Sequence, residues 1–333
     1  VFTELRVDGF VRSAALAVSR DGTYVAGEGT LQGGYMEAIR WTNADGVSLG
    51  SNVAWVAGHG VGISDDGSVV VGYIDTRAEQ LAFRWEEGGD IEELPPLIRD
   101  SGYAQPTGVS GDGNVIIGTS PDMGQNQPVQ WVGGGIQQLP LLTGHLTATP
   151  RGVDYDGNVI VGTGMTEGDF VEEAVRWPAS GVFSLGIPRS EVFSVSSDGR
   201  YAVGGYVETP MLGARHRIAF RWSASGVEYL PPTMSGEIDC AAYFTSGDGS
   251  IVVGACTWFT PPSTSTTTIY LWSEATGIVP VDQVLRELGV DTSLYTSMSV
   301  ADISTDGTAI IGSAYDGDGL GIGWRAYIDS VFP

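Results

Sequence analysis

The chain has 333 residues, a mass of 35.0 kDa and a formal net charge of −24, with 40 acidic side chains against 16 basic ones. Every basic residue is Arg. Without Lys there is no phosphate-binding loop ending in Lys, no Schiff-base amine and no Ser-Lys dyad, and so acidic a chain offers no clustered cations for nucleic acid or anionic lipid. A hydrophobic content of 42% is enough for a core, no apolar stretch approaches the ~18 residues of a transmembrane segment, and the opening Val1 suits a processed or trimmed product.

Length alone suggests roughly two domains, but an internal repeat overrides it. An Asp-Gly pair occurs at Asp21, Asp66, Asp112, Asp156, Asp198, Asp248 and Asp306, each followed six residues after the Asp by a Gly and later by one Trp, from Trp41 to Trp324. Ser stands two residues before the Asp in every repeat but the fourth, which has Asp154. Asp-Gly between β-rich runs is a strong hairpin signal, because such a turn needs the positive φ that Gly tolerates. Each unit therefore reads as four strands: one ending at the Ser, one carrying "VVVG" or "VIIG", one carrying "FRW" or "IRW", and one of the pattern apolar-x-x-Leu. Four-stranded units of this length with a recurring Trp predict propeller blades.

In chain order the blades fall at 13–49, 57–94, 104–139, 148–185, 190–230, 238–281 and 297–328, within one domain spanning 1–333. The seventh unit lacks a fourth strand, while "VFTEL" at residues 1–5 is a spare one, so the predicted fold is an all-β, seven-bladed β-propeller of four antiparallel strands per blade with its last blade closed by the N-terminus. Between the last two blades, Val281, Val284, Leu285 and Leu288 have helical spacing and Gly289 is a terminator, which predicts a short packing helix over 281–290. "PPSTSTTT" at 261–268 reads as an exposed loop tip.

The quoted pattern, as in "AVSRDGTYVAG", "GISDDGSVVVG", "AFRW" and "GVFSLG", resembles the HAF family of extracellular repeat proteins over nearly the whole chain. That resemblance implies a secreted or surface-exposed bacterial or archaeal propeller and carries over no catalytic residue.

The Asp-Gly turns are short and uniform, whereas the loops on the opposite face are long and varied, so a site is expected there. His59, His145 and His216 lie on that side and form no zinc signature. Ring closure brings His59 and His145 toward the axis with Arg99, Asp100, Tyr103, Arg189 and Glu191, a set suited to proton abstraction or glycoside cleavage; scattered polar loop residues are the plainer reading. "DGDG" at 316–319 and "EGDFVEE" at 167–173 offer oxygen atoms without the full spacing of a calcium loop. Calcium through Asp316 and Asp318 is the alternative to solvated loops there, and no other cofactor is expected.

If the hairpin around Asp248-Gly249 pairs Thr245 with Ile251, Cys240 falls opposite Cys256, which predicts a structural disulfide and an oxidising compartment; two reduced, packed thiols are the other reading. The leading functional expectation is a non-catalytic extracellular or cell-surface module that binds or scaffolds through its variable loop face, with a glycan, a surface protein or a further copy of itself as partner. Its rivals are a structural subunit of a fibre or surface layer and a carbohydrate-active enzyme, a lyase or glycosidase, with its site in the blade-to-blade loops.

Overall fold

The computed structural model describes residues 1–50, 55–98, 103–122, 124–168, 171–208, 216–232, 239–260, 264–330 and 332. Among these, the chain is almost wholly β. The second repeat shows the pattern: Trp55–Ile63, Val69–Thr76, Gln80–Glu86 and Ile91–Glu93 form an antiparallel four-stranded sheet in chain order. Five such sheets are separate, and a sixth of eight strands consists of the fifth and sixth repeats joined by one parallel bridge, Arg217 to Asp239. The strand Phe2–Leu5 pairs with Gly321–Tyr327 and so supplies the outer strand of the seventh repeat's sheet. One short helix, Val281–Glu287, buries Val281, Val284 and Leu285.

The Asp-Gly turns are built alike. The Gly lies at φ between 69° and 76° in all seven, where a side chain is strained. The Ser hydroxyl donates to the turn Asp, as from Ser64 to Asp66 at 2.7 Å, and accepts the amide that starts the next strand, as from Val69 at 3.0 Å. In the fourth repeat the Asp154 carboxylate takes the second role, accepting from Val159 N at 2.9 Å, which explains how that repeat dispenses with Ser. The Gly six residues after each turn Asp lies inside the second strand and has no room for a side chain: a Cβ on Gly72 would stand 1.8 Å from the carbonyl oxygen of His59.

Successive repeats are stitched around one axis. Backbone amides at the turns donate to the next repeat's carbonyls, from Arg20 to Asp65, on through Gly111, Tyr155, Ser197, Gly247 and Thr305, and back from Asp306 to Arg20, at 2.7 to 3.0 Å. The first strands of the repeats likewise contact one another in a closed circle. They surround an axial cavity of about 140 Å³ at the turn side, lined by Val18, Ile63, Val109, Val153, Val195, Thr245 and Ile303, one from each repeat. Apolar side chains fill the spaces between neighbouring sheets, for example Val69, Val71 and Ala82 against Ile116, Val129 and Trp131, as the burial of otherwise exposed sheet faces requires.

Every first strand carries a β-bulge at the residue five before its turn Asp: Leu16, Val61, Thr107, Arg151, Phe193, Tyr243 and Ala301. A bulge leaves one residue unpaired and re-aims the chain. In the sixth repeat it also moves the register, so Thr245 pairs with Val252 rather than Ile251, and the numbering expected for Cys240 and Cys256 is recovered beyond it. The two cysteines are disulfide-bonded, with Cα atoms 4.1 Å apart. One loop reading is corrected. The region around 257–269 is a long hairpin of Ile251–Thr260 and Thr264–Ser273, because β-branched Thr residues suit a strand and pair across it, Thr257 with Thr267 and Thr260 with Thr264; only the described part of the predicted tip is placed.

Candidate functional site

The structure corrects the location of several expected site residues. His59 lies inside the strand Trp55–Ile63, His145 opens His145–Val153, His216 opens His216–Ser223 and Glu191 lies in Ser190–Val195. They sit in strands because the hairpin pairing runs further toward the variable face than the apolar runs reveal. Tyr103 is held by an isolated bridge to Gln80, Arg189 is an exposed loop residue at φ 54°, and Arg99 and Asp100 lie outside the described residues. The described ones do not form one set but fall into separate clusters.

The richest cluster joins the first, second and third repeats. Glu28, one residue after Gly27 within the strand Tyr24–Leu31, hydrogen-bonds His59 Nδ1 in the next repeat. The His59 ring stacks on Tyr73 with centroids 4.6 Å apart. Asp75 Oδ2 stands 3.6 Å from Nε2, beyond hydrogen-bond distance, and is oriented by Gln80, whose Nε2 donates to Asp75 Oδ1 at 2.8 Å. The His59 side chain is 12% exposed, Glu28 23% and Asp75 38%, so the dyad is sheltered and its outer carboxylate open. Burial alone depresses the His59 pKa, but the hydrogen bond and charge of Glu28, reinforced by Asp75, outweigh it and raise the value above that of a free imidazole. Burial and the charges of Asp75 and Glu28, together with nearby Tyr103, raise the Tyr73 phenol.

A second cluster spans the fifth and sixth repeats. Arg217 Nη2 stands 3.0 Å from Glu191 Oε2, and its Nε stands 3.4 Å from Asp239 Oδ1. Tyr243 stacks at a tilt on Phe193, centroids 5.0 Å apart. Burial raises the Glu191 pKa, Arg217 opposes that, and Glu172 adds to it. His145, only 3% exposed, is separate: its Nε2 stands 3.3 Å from Glu173, whose other oxygen accepts from Ser184. Asp316 is occupied as a turn cap, accepting from the amides of Asp318 and Leu320 at 3.0 and 2.9 Å. Among the described residues, no group of three or more His, Cys, Asp or Glu side chains is arranged to hold a metal.

Glu28, Tyr73, Asp75, Phe193, Arg217 and Tyr243 escaped the sequence reading. The signal was present as departure from the repeat: Glu28 and Tyr73 follow the Gly of the second strand where other repeats have Thr119, Thr163, Gly205, Ala255 and Ser313.

No protein-family profile matches the chain, and no curated protein matches it in sequence. Solved structures do match in fold. An oligogalacturonate lyase from Vibrio parahaemolyticus aligns with a TM-score of 0.62 at 11% identity, over 98% of this chain and 91% of that one. The β-propeller domain of the trilobed protease from Pyrococcus furiosus aligns at 0.60 and 12%, over 97% and 98%. An oligogalacturonate lyase in complex with manganese aligns at 0.59 and 13%, over 100% and 92%. The protein is thus an all-β protein of the propeller class. The comparison corrects the non-catalytic expectation, which rested on a regular repeat uninterrupted by reactive groups: the same architecture carries lyases, and the repeat here is in fact interrupted where Glu28 and His59 meet.

Proposed function

We propose that the chain is a seven-bladed propeller enzyme that acts on a carbohydrate outside the cytoplasm by general acid–base catalysis centred on His59. The blade count rests on treating the eight-stranded sheet as two blades, since a single bridge joins its halves. The observation that carries the catalytic reading is the Glu28–His59 pair with Nε2 turned toward Asp75 at 3.6 Å, beyond direct hydrogen-bond distance. A carboxylate on one ring nitrogen fixes the imidazole and stabilises its cation, and the other nitrogen faces the reacting group, which is the arrangement of an oriented acid–base histidine. The raised pKa favours the protonated form of His59, suiting it to act as a proton donor, with the more exposed Asp75 beside it to accept a proton or activate water. Solved structures of similar fold include enzymes named for an oligogalacturonate, which supports carbohydrate as the substrate class. The Cys240–Cys256 disulfide supports an oxidising, secreted or periplasmic location, and the HAF-like repeat supports the extracellular one.

The test is turnover on a panel of neutral and uronic-acid oligosaccharides, followed by reducing ends and by ultraviolet absorbance of unsaturated products. His59→Gln should lower the rate by roughly 10² to 10⁴-fold, and Glu28→Gln should lower it while shifting the pH profile to lower pH. A His59→Gln enzyme as fast as the parent, or no turnover on any member of the panel, overturns the reading.

A further inference from the structure

We propose that Phe193 and Tyr243, with Arg151, Glu191 and Arg217 around them, form a subsite for an uncharged sugar ring. This rests on the carbohydrate reading above and deepens it by naming the kind of sugar. The bulge position is where the first strands re-aim a side chain. Four repeats place Leu16, Val61, Thr107 or Ala301 there, whereas three consecutive repeats place Arg151, Phe193 and Tyr243. The result is one arc of the ring with a cation followed by two aromatic rings.

The aromatic pair is tilted at 45° and only partly buried. A packing role would favour full burial of so much apolar area. A tilted, half-open aromatic pair suits the C–H face of a pyranose, which is apolar while its rim is polar. The rim finds its partners directly beside the rings. Glu191 and Asp239 accept, and the Arg217 guanidinium between them donates in a fixed fork. The Arg217 guanidinium also acts on the Tyr243 phenol, opposing the rise in pKa that burial causes, so the platform and the polar rim adjoin.

Charge selects among sugars. Near Glu191 the guanidinium groups of Arg151 and Arg217 face the carboxylates of Glu172, Glu191 and Asp239, so the patch holds no positive excess, and the whole chain carries −24. A uronate or a sugar phosphate would be repelled, while a neutral ring exchanges hydrogen bonds without that penalty. Glu191 occupies the same place in its strand as His59, seven residues before the turn Asp, three repeats further around the ring. A neutral chain lying across the axis would therefore meet both.

The test is calorimetric titration of the full chain with maltohexaose, cellohexaose, xylohexaose and trigalacturonate. A neutral hexasaccharide should bind, trigalacturonate should bind more weakly, and Phe193→Ala or Tyr243→Ala should weaken binding about tenfold or more. Phe193→Leu and Tyr243→Phe, with unfolding temperatures measured alongside, serve where the alanine variants fold poorly; Tyr243→Phe should retain most of the affinity and Phe193→Leu should not. His59→Gln should lower turnover roughly 10² to 10⁴-fold while changing the dissociation constant far less than the Phe193 and Tyr243 variants do. Tighter binding of trigalacturonate, parental affinity in both Phe193 and Tyr243 variants, or no binding by any neutral hexasaccharide overturns the subsite. Binding that depends on Phe193 and Tyr243, with turnover indifferent to His59, sinks the catalytic reading and leaves the subsite standing. The reverse pattern does the opposite.

Discussion

Arg325 in the seventh repeat donates from Nη1 to the carbonyl oxygen of Gly22 in the first, at 2.7 Å and across 303 residues of sequence. The side chain is buried, contacts Thr23 O at 3.1 Å and lies over the Tyr327 ring at 5.0 Å. Arg40 to Gly67 and Arg221 to Gly249 repeat the contact between other neighbours, at 2.8 and 2.9 Å. The third strand of one repeat thus satisfies the turn of the next, and at Arg325 the same device closes the ring. Arg325→Ala should cost roughly 2 kcal/mol, the worth of a charged hydrogen bond left with an unpaired buried acceptor. Arg325→Lys should recover little of it, because an ammonium lacks the planar fork. Thermal unfolding followed by circular dichroism measures both, and a parental midpoint in Arg325→Ala would remove the ring-closing role.

The other closure is the strand Phe2–Leu5. Leu5 is fully buried and Phe2 stacks on Trp324 with centroids 5.7 Å apart. Deleting residues 1–5 uncovers the edge Gly321–Tyr327 and should lower the unfolding temperature and produce concentration-dependent association, since an open edge templates further pairing. Leu5→Ala should cost about 3 kcal/mol without association, because it opens a cavity and leaves the ladder intact. Light scattering during heating separates the two outcomes. A truncated chain as stable and as monomeric as the parent would deny the strand its role.

The parts of this molecule legible in its sequence are those written by local chemistry. Asp-Gly at each turn needs a positive φ, so the hairpins follow, and their repetition forces stacked sheets. The disulfide followed too, though Thr245 pairs one residue away from the simple expectation because Tyr243 is bulged. The site was not legible for a related reason. Glu28 and His59 are 31 residues apart and touch only because neighbouring repeats pack side by side, and a bulge turns Phe193 and Tyr243 together in a way no alternation pattern encodes. His59, Tyr103 and Glu191 were recognisable as candidates by residue type, but their partners were set by packing between repeats.

The Cys240–Cys256 bond links adjacent strands with a sequence separation of 16. Closing a loop of that length restrains the unfolded chain by about 3 kcal/mol in the loop-entropy account. Cys240→Ser with Cys256→Ser should therefore lower stability by a few kcal/mol, measured by guanidinium unfolding, while leaving the slope of the native baseline unchanged. Both sulfurs are buried among Val203, Val252 and Tyr270, so brief treatment of the folded protein with a mild reductant should leave the bond intact, and intact-mass analysis shows whether it does. Ready reduction under native conditions would contradict that burial.

Stability should peak on the acid side of neutral, and the sign follows from three kinds of group. Asp302, whose oxygens accept from the amides of Val18 and Ile303, is raised by burial from 3.8 to about 7. The folded state therefore holds a proton that the unfolded state has lost between those values, and this contribution falls away as pH rises from about 4 to about 7. His59 acts in the same direction: with its pKa raised above 6.5, its contribution is complete below that value and is lost as pH rises through the folded pKa. The turn aspartates Asp21, Asp66, Asp112 and Asp248 act oppositely. Burial, which would raise them, is outweighed by hydrogen bonds from Ser hydroxyls and turn amides, so they lie below 3.8 and their contribution is lost as pH falls through their folded values. Unfolding temperature measured from pH 3 to pH 8 should accordingly rise from the acid limit to a maximum near pH 4 and then decline past neutrality. Asp302→Asn removes the proton exchange while keeping one acceptor for the neighbouring amides, so it should flatten the decline between pH 4 and 7 and leave the acid limb in place. A decline of parental steepness in Asp302→Asn would show that the axial carboxylate does not titrate in this range.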